Sequence, residues 1–255
     1  MVLVLDVGNT NIKFGLFNGD NLEHSWRMHS DVLKTADDYG INVTSFFNKI
    51  GLALNSVEGI IISSVVPAIN YTLEHMCRLY FDIVPIFVGP GIKTGLNIKY
   101  DDPKELGADR IVNSVAAYSK FGGPCIVIDV GTALTFNVVS KNAEFLGGAI
   151  CPGIRIAMKS LASNTAKLPN VELIKPDTVI NRNTNGCIQS GFFYGYVGML
   201  DFMIEKLKSE IKDDDVKVVA TGGLVNLIAN ECKADLVVDP KLTLTGLKIL
   251  YDKNM

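Results

Sequence analysis

Val4-Leu5-Asp6-Val7-Gly8, near the start of the chain, recurs as Val127-Ile128-Asp129-Val130-Gly131 about half a chain later. Each copy ends an apolar run on a carboxylate with a glycine two residues on, then passes through polar residues into a second strand-like stretch. The first continuation, Ile12-Lys13-Phe14-Gly15-Leu16-Phe17, ends in the hairpin signal Asn18-Gly19; the second is Leu134-Thr135-Phe136-Asn137-Val138-Val139. Further strand and helix patterns follow each unit. The repetition predicts two related α/β halves, residues 1–117 and 118–255.

The remaining patterns fit that plan. The run around Ile60-Ile61-Ile62 reads as a strand buried on both faces. Pro67 suits the first turn of a helix reaching Phe81. Residues 83–88 read as a strand, 105–119 as a helix, 216–220 as a strand closed by Thr221-Gly222-Gly223, 224–230 as a helix and 242–250 as a closing helix. Between residues 184 and 206, with Thr184 as its expected cap, lies a helical pattern apolar on more than one face and interrupted by Gly191, Gly195 and Gly198. Glycine costs roughly 1 kcal/mol in a helix interior, so three of them predict close backbone approach, either inside the chain or to a second copy of it.

Composition narrows the function classes. The 255 residues are 48% hydrophobic and 20% charged, with a formal net charge of −3. This is a folding chain without the basic excess that general nucleic-acid binding requires. No apolar run approaches the ~18 residues of a membrane span. The opening residues lack the basic region of a signal peptide, so the expected location is cytoplasmic. Five cysteines are scattered without a C-x-x-C pair and only three histidines accompany them, which predicts reduced, mostly buried thiols and no zinc site.

Four motifs are candidates for chemistry. Asp6-Val7-Gly8-Asn9-Thr10-Asn11 would aim backbone N–H groups and a hydroxyl from a tight turn at one point, a geometry suited to phosphate oxygens. A carboxylate there repels phosphate but holds a divalent cation or its waters; a plain turn is the alternative for one copy, and two copies favour a nucleotide clamp. Lys13, on the outgoing strand, either reaches phosphate or is solvated. Gly107-Ala108-Asp109-Arg110 falls in the first turn of a helix, where Asp109 and Arg110 either face a bound polar ligand or merely complement the dipole and a surface acid. Gly147-Gly148-Ala149-Ile150-Cys151-Pro152-Gly153 reads as a turn near a nucleotide base or a bend between elements. Thr221-Gly222-Gly223 lets a ring or phosphate approach the backbone. All fall at strand ends or helix starts, where α/β proteins bind ligands.

In this order, and together with Thr165-Ala166-Lys167-Leu168-Pro169 and Gln189-Ser190-Gly191, these motifs resemble the type III pantothenate kinases, from Asp6 to the end of the chain. The resemblance implies two duplicated ribonuclease-H-like halves of the acetate and sugar kinase/Hsp70/actin superfamily with ATP between them, and ATP-dependent phosphorylation of pantothenate, the first step toward coenzyme A. It implies that Asp6, Val7, Gly8, Asn9, Thr10, Asn11, Ile12 and Lys13 form the first phosphate loop and that Thr132 belongs to the second. Asp129 would hold a monovalent cation, potassium or ammonium, and Asp6 a magnesium ion through water. Asp109 would be the general base, with Tyr100, Gly107, Ala108, Arg110 and Thr184 lining the pantothenate pocket, Thr184 either from the same subunit or from the neighbour in a homodimer. Val130, Asn137 and Asn181-Arg182 depart from the family's commoner residues. Two other readings share the scaffold: a nucleotide-binding regulator like the Bvg accessory factors, and a kinase for another small acceptor such as a sugar or a carboxylate.

Overall fold

The computed structural model describes residues 1–213 and 215–255. The first sheet contains β1 (Val2–Val7), β2 (Asn11–Asn18), β3 (Asn21–His29), β4 (Gly59–Ser64) and β5 (Ile86–Phe87) in the order β3-β2-β1-β4-β5. The repeated motif makes β1 and β2 an antiparallel hairpin, while β4 and β5 run parallel to β1. The second sheet contains β6 (Asn97–Ile98), β7 (Cys125–Val130), β8 (Ala133–Val139), β9 (Glu144–Pro152), β10 (Lys217–Thr221) and β11 (Val237–Val238) in the order β11-β10-β7-β8-β9-β6. Its antiparallel β7-β8-β9 and parallel β7-β10-β11 reproduce the first sheet strand for strand, with β6 added at the edge.

Alternation along the strands places the cores. Leu3, Leu5, Val7, Ile12, Phe14, Leu16, Ile60 and Ile62 bury one face of the first sheet with Tyr39, Val43 and Phe47 of α1 (Ala36–Lys49) and Leu73, Met76 and Cys77 of α2 (Asn70–Phe81). Thr35 and Asp38 form a capping box at the start of α1. In the second unit, β7, β8 and β10 bury Ile126, Ile128, Phe136 and Val218 with α4 (Ile154–Ser163), the long α5 (Thr184–Ile211) and the short α6 (Val225–Ile228).

The chain divides into compact units that differ from equal halves. One comprises Met1–Gly95, Asp101–Ala116 and Leu242–Met255; the other comprises Leu96–Tyr100 and Ala117–Lys241. One division falls within α3 (Ala108–Phe121), next to the expected 117/118 boundary. The closing helix α7 (Leu242–Asn254), grouped by sequence order with the second half, packs on the first sheet instead. Gly15 and Gly59 make room for it: a Cβ on Gly59 would lie 1.8 Å from the Tyr251 hydroxyl, and one on Gly15 would lie 3.2 Å from Leu244.

Several local expectations also change. Residues 147–152 are neither a turn nor a bend but belong to strand β9; Gly147 adopts φ +122°, and Gly153 caps α4. The strand expected at 83–88 shrinks to Ile86–Phe87, after Pro85. Asn183, not Thr184, caps α5, its side chain accepting the Gly186 N–H at 2.8 Å. Gly191, Gly195 and Gly198 approach no other part of the chain: a Cβ on any of them would meet nothing within 4 Å among the described residues.

Candidate active site

In the first unit, Asp6, the penultimate residue of β1, lies directly opposite Lys13 on β2, and the two side chains pair at 3.1 Å. Between the strands Gly8 N–H donates to the Asn11 carbonyl at 3.1 Å, closing the polar turn. The side chains of Val7 and Ile12 lie in the core, so only their backbones serve the turn, whereas Asn9, Thr10 and Asn11 are exposed. Ser30, just past β3, fastens the turn from outside. Its N–H donates to the Thr10 carbonyl at 3.1 Å and its hydroxyl to the Gly8 carbonyl at 2.5 Å. Sequence reading missed Ser30, which lies outside every motif.

The same unit carries Gly107, Ala108, Asp109 and Arg110 at the start of α3. The Asp109 carboxylate folds back over its own helix and accepts the Arg110 backbone N–H at 2.8 Å. This conformation requires glycine at 107, because a Cβ there would lie 2.6 Å from Asp109 Oδ1. Burial and then the negative charge of Asp6 raise the Asp109 carboxyl above its ordinary pKa, against the lowering pull of the Arg110 N–H and guanidinium. Asp6 and Asp109 are therefore electrostatic neighbours, and Arg110 is itself buried. Such an arrangement suits a carboxylate that takes up a proton: its basicity exceeds that of an ordinary surface aspartate.

In the second unit, Asp129 sits at the matching position of β7, and Gly131 N–H donates to the Ala133 carbonyl at 3.0 Å, closing a turn one residue shorter than the first. The exposed Thr132 forms the tip of this turn. Two glycines from elsewhere press against the turn. Gly222 follows β10 at φ +107°, and a Cβ on it would lie 2.5 Å from the Val130 carbonyl oxygen and 2.6 Å from Asp129 Oδ1. Gly153 donates its N–H to the Thr132 carbonyl at 3.1 Å, and its Cβ would lie 2.2 Å from that oxygen.

The donor sets distinguish the two cations that the resemblance implies. A carboxylate and a backbone carbonyl converge at Gly222, an all-oxygen set that fits a hard monovalent cation beside Asp129. Among the described residues no three His, Cys, Asp or Glu side chains gather into a metal-binding group. Asp6 alone fits magnesium only through the ion's own waters, the usual mode where phosphates supply the remaining ligands.

Two expected pocket residues belong to the second unit. Tyr100 is half-buried beyond β6, with its ring centroid 6.1 Å from that of Phe145. Thr184 is exposed in the first turn of α5. No helix among the described residues is long and apolar enough to cross a membrane.

Two α/β units of one sheet topology, each with an acidic hairpin turn, define the class of the duplicated ribonuclease-H-like proteins that includes sugar kinases, Hsp70 and actin. Two solved structures share this fold. A conserved protein described as a Baf family transcriptional activator from Campylobacter jejuni superimposes with a TM-score of 0.59 at 23% identity, covering 99% of this chain and 98% of that one. A ROK family glucokinase from Streptomyces griseus, in complex with glucose and AMPPNP, gives a TM-score of 0.54 at 13% identity, covering 98% of both chains. At those identities the likeness concerns the fold alone. The sequence goes further. Residues 2–206 match the model of the type III pantothenate kinase family, and a type III pantothenate kinase from Geobacillus sp. (strain WCH70) is 50% identical over 255 residues, covering 100% of this chain and 98% of that protein. This chain belongs to the type III pantothenate kinase family.

Proposed function

We propose that the chain transfers the γ-phosphoryl group of ATP to the primary alcohol of pantothenate, giving 4′-phosphopantothenate and ADP in the first step of coenzyme A biosynthesis. The observation that carries this reading is the Asp109 carboxylate, held at the start of α3 beside the charged Asp6–Lys13 turn and made more basic by burial and by Asp6. A primary alcohol is a poor nucleophile at neutral pH. Asp109 accepts its proton as the oxygen attacks phosphorus, a contribution of roughly 10²–10⁴-fold. Phosphoryl transfer otherwise depends on alignment and charge neutralisation. The phosphate-binding groups in this reading are the backbone of residues 6–13, the Lys13 ammonium and Thr132. Arg110 and Tyr100 orient the acceptor. Bound magnesium and potassium or ammonium would neutralise phosphate charge, magnesium through waters on Asp6 and the monovalent ion at Asp129.

The working form in this reading is a homodimer. Thr184, Gly191, Gly195, Gly198 and Phe202 recur along one exposed face of α5, and Phe202 leaves 57% of its surface exposed. Three glycines with nothing over them admit a second helix at close range, and Thr184 then belongs to the contact face at which it would serve the neighbour's pocket. Use of ATP and five cysteines without a disulfide suit the cytoplasm.

ADP release measured against an acceptor panel tests the assignment. Pantothenate should be turned over and glucose or acetate should not. Turnover of another acceptor in its place would shift the reading to a different kinase, and nucleotide binding without any turnover would shift it to a regulator.

A further inference from the structure

Ser63 lies on β4 in register with Asp6 of β1, and the sheet order places Asp6 between Lys13 on one side and Ser63 on the other. Register partners on adjacent strands point to the same face about 4.8 Å apart. Ser63 is 1% exposed, and its hydroxyl has no hydrogen-bond partner. A buried donor left unused is costly, and in native proteins it calls for an explanation. Asp6 meanwhile is 8% exposed and has its Oδ2 paired with the Lys13 ammonium at 3.1 Å.

We propose that Ser63 is a positioning residue of the nucleotide site, whose hydroxyl takes over the Asp6 carboxylate when Lys13 turns to the phosphates. The proposal rests on the ATP-binding reading above. A triphosphate carries several negative charges against one on Asp6, so the ammonium is drawn from carboxylate to phosphate when nucleotide binds. Asp6 then loses the direct hydrogen bond of the Lys13 ammonium, and a buried carboxylate left short of a donor is unfavourable unless another replaces it. Ser63, in register with Asp6 on the neighbouring strand, is the side-chain donor placed to turn toward that carboxylate, which at 8% exposure is largely shielded from bulk water. The hydroxyl idle in the free protein is thus used in the complex, holding Asp6 fixed for the water shell of the nucleotide's cation.

A double-mutant cycle read by thermal unfolding tests this without turnover. In the ligand-free wild-type protein, Ser63→Ala should leave Tm unchanged or raise it, because it deletes an unused buried donor. In a Lys13→Ala background, where Asp6 already depends on Ser63, the same substitution should lower Tm by about 3 °C or more. Kinetics on the otherwise unmutated protein supply the second reading. Ser63→Ala should raise KM for MgATP about tenfold or more, with kcat and KM for pantothenate within about twofold, and Ser63→Thr should restore KM. Equal Tm effects in both backgrounds together with an unchanged KM would overturn the proposal. Absence of any pantothenate turnover in the wild-type protein would instead refute the functional reading, and the Tm cycle would still decide whether Ser63 supports Asp6.

Discussion

Replacing Asp109 with asparagine separates catalysis from stability in opposite directions. The amide is nearly isosteric, and its oxygen can still accept the Arg110 N–H that the carboxylate accepts at 2.8 Å, so the start of α3 should keep its form. Lost are the negative charge and the ability to take a proton. The first loss is favourable for folding. Because burial and Asp6 raise the folded-state pKa above the unfolded one, the folded protein binds the proton more tightly, and the stabilising contribution is complete only below the unfolded pKa. It is lost as pH rises through the raised folded pKa, so at neutral pH the ionised carboxylate is a net burden. The variant should therefore melt at or above the wild-type temperature at neutral pH, the difference disappearing in acid. The second loss removes the general base, for which kcat should fall by roughly 10²–10⁴-fold, about 3–5 kcal/mol of barrier, with KM for ATP nearly unchanged. Differential scanning calorimetry and steady-state kinetics on the same preparation read both effects. A variant retaining more than a third of wild-type kcat, or one that melts well below wild type at neutral pH, would refute the assignment of the base.

Other consequences follow from the same geometry. The acid limb of kcat should lie above the ordinary aspartate range near 3.9, since Asp109 must be ionised to accept a proton and its pKa is raised, and a pH–rate profile checks this. Gly107→Ala places a methyl group 2.6 Å from Asp109 Oδ1 and should reduce kcat while the far-ultraviolet circular dichroism stays unchanged. Gly222→Ala forces an alanine to φ +107° against Asp129 and should both lower stability by about 1–3 kcal/mol and weaken activation by potassium, seen in a potassium titration. Gly195→Arg on the open face of α5 should convert a dimer to a monomer in sedimentation velocity without a loss of monomer helicity.

How much of this was legible beforehand depends on the physics of each segment. The two hairpins were readable because their strands are short apolar runs, buried at most positions, that close on polar turn residues, and the structure joins Asp6 to Lys13 and Asp129 to Thr135 across them. Strand β3 was not readable: it alternates between exposed and half-buried positions, carrying Glu23, His24 and Arg27 without a continuous apolar face. The glycine run 147–153 imitated a loop because glycine and proline punctuate most chains, yet here Gly148 sits where a Cβ would strike the Phe136 carbonyl at 1.8 Å across two paired strands. The position of α7 follows from long-range packing on Gly15 and Gly59, which no local pattern encodes. At the site, residue types and spacing brought out Asp6, Asp109 and Asp129. The features that set Asp109 apart from a dipole-compensating acid are its burial and the nearby charge of Asp6, and both arise only when α3 meets the first hairpin.

The most direct test of the central claim is a single-turnover reaction of the full chain with ATP, pantothenate, magnesium and potassium, resolved by mass spectrometry and phosphorus NMR. The account predicts one ADP for each pantothenate consumed, and a product heavier by one phosphoryl group attached at the primary hydroxyl. Release of inorganic phosphate with unmodified pantothenate, or phosphate carried on the carboxylate instead, would contradict it.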